Sequence, residues 1–540
     1  MDTISDEAPP PEDAADTPTP PTNEAGGAAE AAEAAEAAGD SKRPTRVSRR
    51  AVLVGGAIGA GVGIASIPAI NWLAGLASTP RRVANPGAPL ALPDIQFDFG
   101  QYLAPAITVD GILVRFGPVY TLFLTYQLSR TPGIRDQEVL RDALDTIERI
   151  YPFSPSGVFT VVSYGLPYFR RVGSGTNASM TDDRVASYMP RLLEDHDRYA
   201  LEEAVPAPTD VAPENPEVAK ATFKLPVVIE KNDVLLTLRS DSAEILDDVT
   251  NWLNGSNSLH GAQRPSPRFN GLLTLTSRRV MFNQMGMPRR AADHYSLPFA
   301  RMVNPQSPMW MGFADQQVDA SGPAEITTFQ GNELARFTTT KRGDYFFNGS
   351  IQHLSHVILD LEQFYGGDEA GASGEPFTDR VQYMFRSSPI PSVGDKDQYI
   401  NGGGTAFIAN LFQGTDDAER NAAARNTFDS KPRLGHVAAL QRSSRAKDGT
   451  PIHIRMDGPG YDALDVPDGS LQPKLQFTVF VPTANFFATM RRNQASPDLV
   501  EKYRVAATEN GLERFITATR RQNFLVPPRA RRAFPLVELT

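Results

Sequence analysis

Three side chains of complementary chemistry stand far apart in this chain: Asp315, within Gly312-Phe313-Ala314-Asp315, then His436, then Arg455. A neutral imidazole ligates metals, a carboxylate can take up and return a proton, and a guanidinium keeps a positive charge where negative charge develops. Each also has a plainer role. Aspartate is common in turns, a histidine beside a glycine such as Gly435 is most often structural, and Arg455 has Asp457 nearby as an ion-pair partner. His453 precedes Arg455 by two positions, so in a strand both face one side while Ile452 and Ile454 face the other.

The hydrophobic pattern predicts the elements that must hold these residues. Val119–Tyr126 reads as a strand, Asp136–Ile150 as a helix with Val139, Leu140, Leu144, Ile147 and Ile150 at helical spacing, and Val158–Tyr164 as a second strand. Strand Val234–Leu238, helix Ala243–Leu253 and strand Gly271–Thr276 follow. This βαβ–βαβ order predicts a ferredoxin-like α+β sheet with helices on one face. The second half repeats the plan by element order alone. A strand from residue 346 runs on to Tyr365, followed by strands Pro451–Met456 and Leu475–Val481, helix Asn485–Asn493 and a closing Asn523–Pro528. Residues 171–222, polar and dotted with proline, are expected to form a surface insertion, and Gly402-Gly403-Gly404 a flexible turn.

Several segments resemble the dye-decolorising haem peroxidases. They are Tyr164-Gly165-Leu166-Pro167-Tyr168-Phe169, Trp310-Met311-Gly312-Phe313-Ala314-Asp315, Gly349–Phe364, Gly435-His436, Ile452-His453-Ile454-Arg455, Leu475–Phe480 and the final Phe-x-x-Pro-Pro. The resemblance covers roughly residues 107–536. It implies two ferredoxin-like halves of the dimeric α/β-barrel type, with antiparallel sheets, helices packed outside and haem b lodged in the second half. It further implies His436 as axial iron ligand, Asp315 as distal base and Arg455 as distal cation. Gly312, Phe313 and His453 would line the cofactor. The substrates implied are hydrogen peroxide and a small phenolic or dye-like donor. One residue departs from the pattern: Gln316 stands where the family has a second glycine, and only glycine moves freely into positive φ. That departure keeps two other readings open, a haem-binding or iron-handling protein without robust peroxidation and a cofactor-free structural or binding barrel.

Composition narrows the classes. A formal charge of −10 argues against nucleic acid as the main partner, since phosphate contacts need a basic face. The chain has no cysteine, which removes disulfides, thiolate catalysis, iron–sulfur clusters and cysteine zinc sites. His353 and His356, three apart on a strand, point to opposite faces and cannot share a metal. The basic cluster Arg520-Arg521, Arg529 and Arg531-Arg532 reads as a solvated or propionate-side patch. Near the N-terminus, Arg49-Arg50 precede an uncharged Gly/Ala-rich stretch over residues 51–77, which resembles a twin-arginine export signal. The same stretch is close to the length of a membrane anchor. Export on that pathway implies an extracytoplasmic location and the twin-arginine machinery as a partner.

The chain thus divides on sequence into five parts. Residues 1–47 are Ala/Glu/Pro-rich and expected to be disordered, 48–79 form the signal or anchor, and 80–106 a Pro-rich wrapping linker. Residues 107–330 and 331–540 are the two halves, the second binding haem.

Overall fold

A computed structural model describes residues 73–78, 92–109, 112–174, 183–206, 220–269, 271–312, 314–317, 324–331, 336–366, 400–406, 452–495 and 513–539. Residues 1–47, the arginine pair and His436 lie outside the described residues.

In chain order the first half contains β1 (Ile107–Val109), β2 (Ile112–Val114), β3 (Tyr120–Leu128), α1 (Ile134–Ile150) and β4 (Phe159–Gly165). It continues with β5 (Val228–Ile229), β6 (Val234–Ser240), α2 (Ala243–Leu253), the short pair β7 (Ser258–Leu259) and β8 (Ala262–Gln263), and β9 (Leu273–Phe282). β10 (Ala314–Gln317) ends the first half, and the second half contains β11 (Ser350–Leu359), α3 (Leu361–Tyr365), β12 (Ile400–Ala406), β13 (Ile454–Arg455) and β14 (Gly458–Asp462). It closes with β15 (Gln472–Val481), α4 (Ala484–Ala495) and β16 (Ile516–Val526).

Local chemistry sets the ends of the helices. The Asp136 carboxylate accepts from Gly133 N–H at 2.8 Å and starts α1, whose buried stripe is Leu140, Ala143, Leu144 and Ile147. Ser242 Oγ accepts from Ile245 N–H at 3.2 Å and starts α2.

The main sheet runs β13-β15-β11-β16-β4-β6-β3-β9, with β14 also on β15 and β5 on β16. Numbered within each half, the four principal strands lie second-third-first-fourth in both, all antiparallel, which is the ferredoxin-like order twice over. The halves join edge to edge through Phe524↔Gly165 and Leu525↔Tyr164. The two ends also meet. A Cβ on Gly460 of β14 would lie 2.9 Å from the Val280 carbonyl of β9, and one on Gly458 would lie 3.0 Å from Met281. The sheet therefore curls into a barrel with helices outside, the expected α+β class.

Because one face points into the barrel and the other under helices, β4, β6 and β11 are buried along their whole length. The interior is layered. Phe123, Leu235, Met281, Leu354 and Phe524 fill the middle. Beside them Gln352 donates to Thr237 and Thr478, both at 3.2 Å, and accepts from Ser163 at 2.9 Å, tying both halves together. One end is plugged by the segment before β1, whose Phe97 stacks on Phe480 with centroids 4.2 Å apart.

Several expectations need correction. Residues 360–365 do not continue the strand. Asp360 accepts from Gln363 N–H at 3.0 Å and opens α3. The strand expected over 451–456 is ordered as strand only at Ile454–Arg455. Gly402-Gly403-Gly404 lie within β12, not in a turn. Part of the expected surface insertion is core, since Val185, Met189, Ala200 and Leu201 are buried in the main cluster. The second part of the linker likewise buries Ile95, Phe97, Phe99 and Tyr102. Apart from the exposed Arg531, the arginine cluster is not a solvated patch. Arg521 is buried, Arg520 pairs with Asp465 at 2.7 Å, and Arg529 and Arg532 both pair with Glu148 of α1, at 2.5 and 2.6 Å. Burial raises the Glu148 carboxyl, but the two guanidiniums outweigh it and hold the group below its usual value.

Candidate active site

Arg455 faces the side of the sheet that the helices cover. In the ladder it opposes Val479, which opposes His353, which opposes Asn523, and directly opposed residues share a face. Ile454 opposes Phe480 on the other face and packs with the interior cluster. The alternation expected of Ile454 and Arg455 therefore holds. It does not extend to His453, which is buried but precedes the strand.

His353 occupies the middle of this face and is fully satisfied. Its Nδ1 lies 2.6 Å from Asn523 Oδ1 and its Nε2 2.6 Å from Ser355 Oγ. Asn523 Nδ2 donates to the Glu202 carbonyl, which leaves Oδ1 as acceptor and assigns the proton to Nδ1. The ring stacks on Phe487 of α4 at 3.2 Å between centroids. Burial holds His353 far below the usual imidazole value, with Arg521 adding to burial and the Asn523 bond opposing it. A neutral imidazole with both nitrogens engaged is a structural residue.

The segment leading to Asp315 is firmly seated. Trp310 is buried and donates Nε1–H to the Gly460 carbonyl at 3.0 Å, while Tyr365 of α3 donates to the Trp310 carbonyl at 2.7 Å. Gly312 turns the chain with φ at 88°, which glycine tolerates, and its carbonyl accepts from Asn304 at 3.1 Å. Asp315 then enters β10 opposite Thr405 of β12. From there β10 advances from 315 to 317 while β12 runs from 405 to 400, so the three glycines lie in the irregular stretch opposite Gln316. Phe313 and the side chains of Asp315 and Gln316 lie outside the described residues. The structure brings Arg455 and His353 onto one face and places Asp315 in a separate two-stranded sheet.

Sequence reasoning missed a second constellation, at the polar end of the barrel. His356 is buried and points the other way from His353, as their spacing requires. Its Nε2 lies 3.3 Å from Asp462 and its Nδ1 3.7 Å from Asp465. Lys474 is enclosed beside Asp462 at 3.8 Å and donates to the Leu464 carbonyl at 2.8 Å; burial pushes it down to about 8. Arg279 pairs with Glu230 at 2.5 Å, and Arg520 links Glu230 to Asp465. Only tertiary closure unites these groups from seven strands or loops. The one sequence signal is charge on strands that are otherwise apolar.

The helix-covered face can be tested for a plate-like cofactor. At β11 the direct stack of Phe487 on His353 excludes a planar group between sheet and α4. At the β13–β15 end the half-buried Arg455 provides a fixed cation suited to anionic propionates or to peroxide oxygen. The described residues thus fit such a group on the Arg455 side of the face and not on the His353 side.

Comparison with solved structures finds the encapsulated DyP-type peroxidase of Mycobacterium smegmatis, at 13% identity and TM-score 0.43, covering 77% of this chain and 95% of that one. A Rhodococcus jostii DypB variant in complex with heme matches at 12% identity and TM-score 0.43, covering 77% and 96%. A dye-decolorizing peroxidase of Bacteroides thetaiotaomicron matches at 13% identity and TM-score 0.41, covering 81% and 98%. No curated protein matches the sequence. The profile of one sequence family spans residues 186–528, and the chain accordingly belongs to that family of unknown function, DUF7405.

Proposed function

We propose that this chain is an exported haem peroxidase that uses hydrogen peroxide to oxidise a small phenolic or dye-like donor. The observation that carries the reading is the register placing Arg455 on the helix-covered face of the second of two ferredoxin-like units. The resemblance of the segments around Asp315, His436 and Arg455 supports it. Haem b, when bound, supplies the iron redox chemistry. His436 would hold the iron through a neutral ring nitrogen. The Asp315 carboxylate would take the proton of the nearer peroxide oxygen and return it to the leaving oxygen. Arg455 would stabilise the charge developing there, with Gly312, Phe313 and His453 lining the cofactor. Folding before export through the twin-arginine machinery suits a cofactor protein without cysteines, and residues 51–77 are either cleaved or retained as an anchor.

A second reading, haem binding without robust peroxidation, draws on the irregular pairing at Gln316. One titration separates them. Haemin added to the full chain should give a saturable Soret band that is lost or shifted in His436→Ala. Peroxide should then drive donor oxidation, slowed about 100-fold in Arg455→Leu. A Soret band untouched by peroxide selects the carrier reading. No specific band in folded protein sinks both.

A further inference from the structure

The first half has a helix-covered sheet face equivalent in topology to the one that carries Arg455, and this face is hollow. A cavity of about 330 Å³ lies between the outer faces of β3, β4 and β6, helix α1 and the C-terminal end of α2. That size falls in the range of small-molecule sites. Its wall is apolar, built from Leu140 and Leu144 of α1, Val162 and Leu236 of the sheet, and Phe269 and Phe534. Three polar residues, Tyr126, Asn254 and Arg268, interrupt it. Tyr126 lies on the inner wall, and burial raises its hydroxyl well above the ordinary value, so it stays a neutral hydrogen-bonding group. Arg268, exposed at the rim, is the one charged side chain in the described lining. Its guanidinium forms no ion pair among the described residues.

The rim is open by construction. Gly255 and Gly271 border the cavity at φ of 119° and 70°, and no heavy atom lies within 4 Å of where a Cβ would stand at either. The backbone of Arg268 is itself held at φ 38°, with its N–H bonded to Ser266 Oγ at 3.2 Å. That fixes the backbone from which the Arg268 side chain extends at the rim. Asn254, the other polar residue there, turns its amide back to the Thr250 carbonyl at the end of α2. A long apolar wall with a single planar cation at its entrance matches one ligand chemistry. The tail enters against α1 and the sheet, and a carboxylate stays at the mouth, where a guanidinium binds it through two parallel N–H bonds.

We propose that this cavity is a binding site for a carboxylic acid with an extended apolar body, held at its head by Arg268. The site is separate from the haem face and does not depend on it. The test is calorimetric titration of the full-length protein with decanoate and, separately, with 1-decanol. Decanoate should bind saturably with one molecule per chain. Arg268→Glu, a surface change, should weaken decanoate about tenfold or more while leaving 1-decanol unchanged. Leu144→Trp, whose indole fills the cavity, should remove both. Should Leu144→Trp fail to fold, Arg268→Glu decides alone. No decanoate binding to the parent, or equal binding by parent and Arg268→Glu, overturns the proposal.

Discussion

His353 and His356 sit three residues apart on one strand and meet opposite surroundings, which makes them the clearest lesson at the scale of single residues. Burial lowers both below the usual imidazole value; for His356 the Asp462 carboxylate opposes that shift. A histidine whose folded-state pKa is depressed takes up its proton more readily once unfolded. Its stabilising contribution is therefore complete above about pH 6.5 and is lost as pH falls towards the folded value. Chemical denaturation between pH 7 and pH 5 should show stability dropping, with a limiting slope of about 1.4 kcal/mol per pH unit for each such group. His353→Gln should flatten that dependence. An equal slope in the parent and the variant would rule out His353 as a source. The depressed carboxylate of Glu148 acts in a lower window, losing its contribution only as pH falls below its ordinary value near 4.5.

At the scale of elements, α1 and α2 were legible because their apolar spacing and their caps agree, and the strands before and after them carry β-branched runs between polar breaks. One misread element is α3. Leu359 to Tyr365 is apolar enough to extend a strand, yet Asp360 followed three residues later by Gln363 is a helix-start signal that the hydrophobic run conceals. Asp360→Ala should remove the bond to Gln363 N–H and cost about 1 kcal/mol in the unfolding free energy. An unchanged unfolding midpoint would show that packing of Phe364 and Tyr365 alone holds α3. Strand β13 was overread for the opposite reason. Period-two alternation predicted five or six extended residues, but only Ile454 and Arg455 find ladder partners before Gly458 begins β14.

The whole molecule depends on closing the sheet, where β14 approaches β9 without side chains in between. Gly458 and Gly460 permit that approach, since a Cβ at Gly460 would lie 2.9 Å from a backbone carbonyl and 3.1 Å from Gln476. Gly460→Val should push the two edges apart, lower stability by about 2–3 kcal/mol, and disturb Trp310, whose indole N–H bonds to the Gly460 carbonyl. Thermal melting together with tryptophan fluorescence checks both effects. A variant with parental stability and emission would mean that closure is loose. The same closure gathers His356, Asp462, Asp465 and Lys474 at one end of the barrel and leaves the opposite end to be stoppered by Phe97 and Phe99.

The sequence by itself determined most of the element types and the doubled α+β plan. Those follow from local periodicity, capping chemistry and side-chain type, which are properties of neighbours along the chain. Tertiary structure decided which groups meet. It set Arg455 and His353 on one face and satisfied His353 with Asn523 and Ser355. It turned four of the five arginines that read as a surface patch into anchors, most of them paired with carboxylates, and opened a cavity under α1 that no motif announces. Those outcomes depend on strand register and on the closing of the sheet, which join residues hundreds of positions apart.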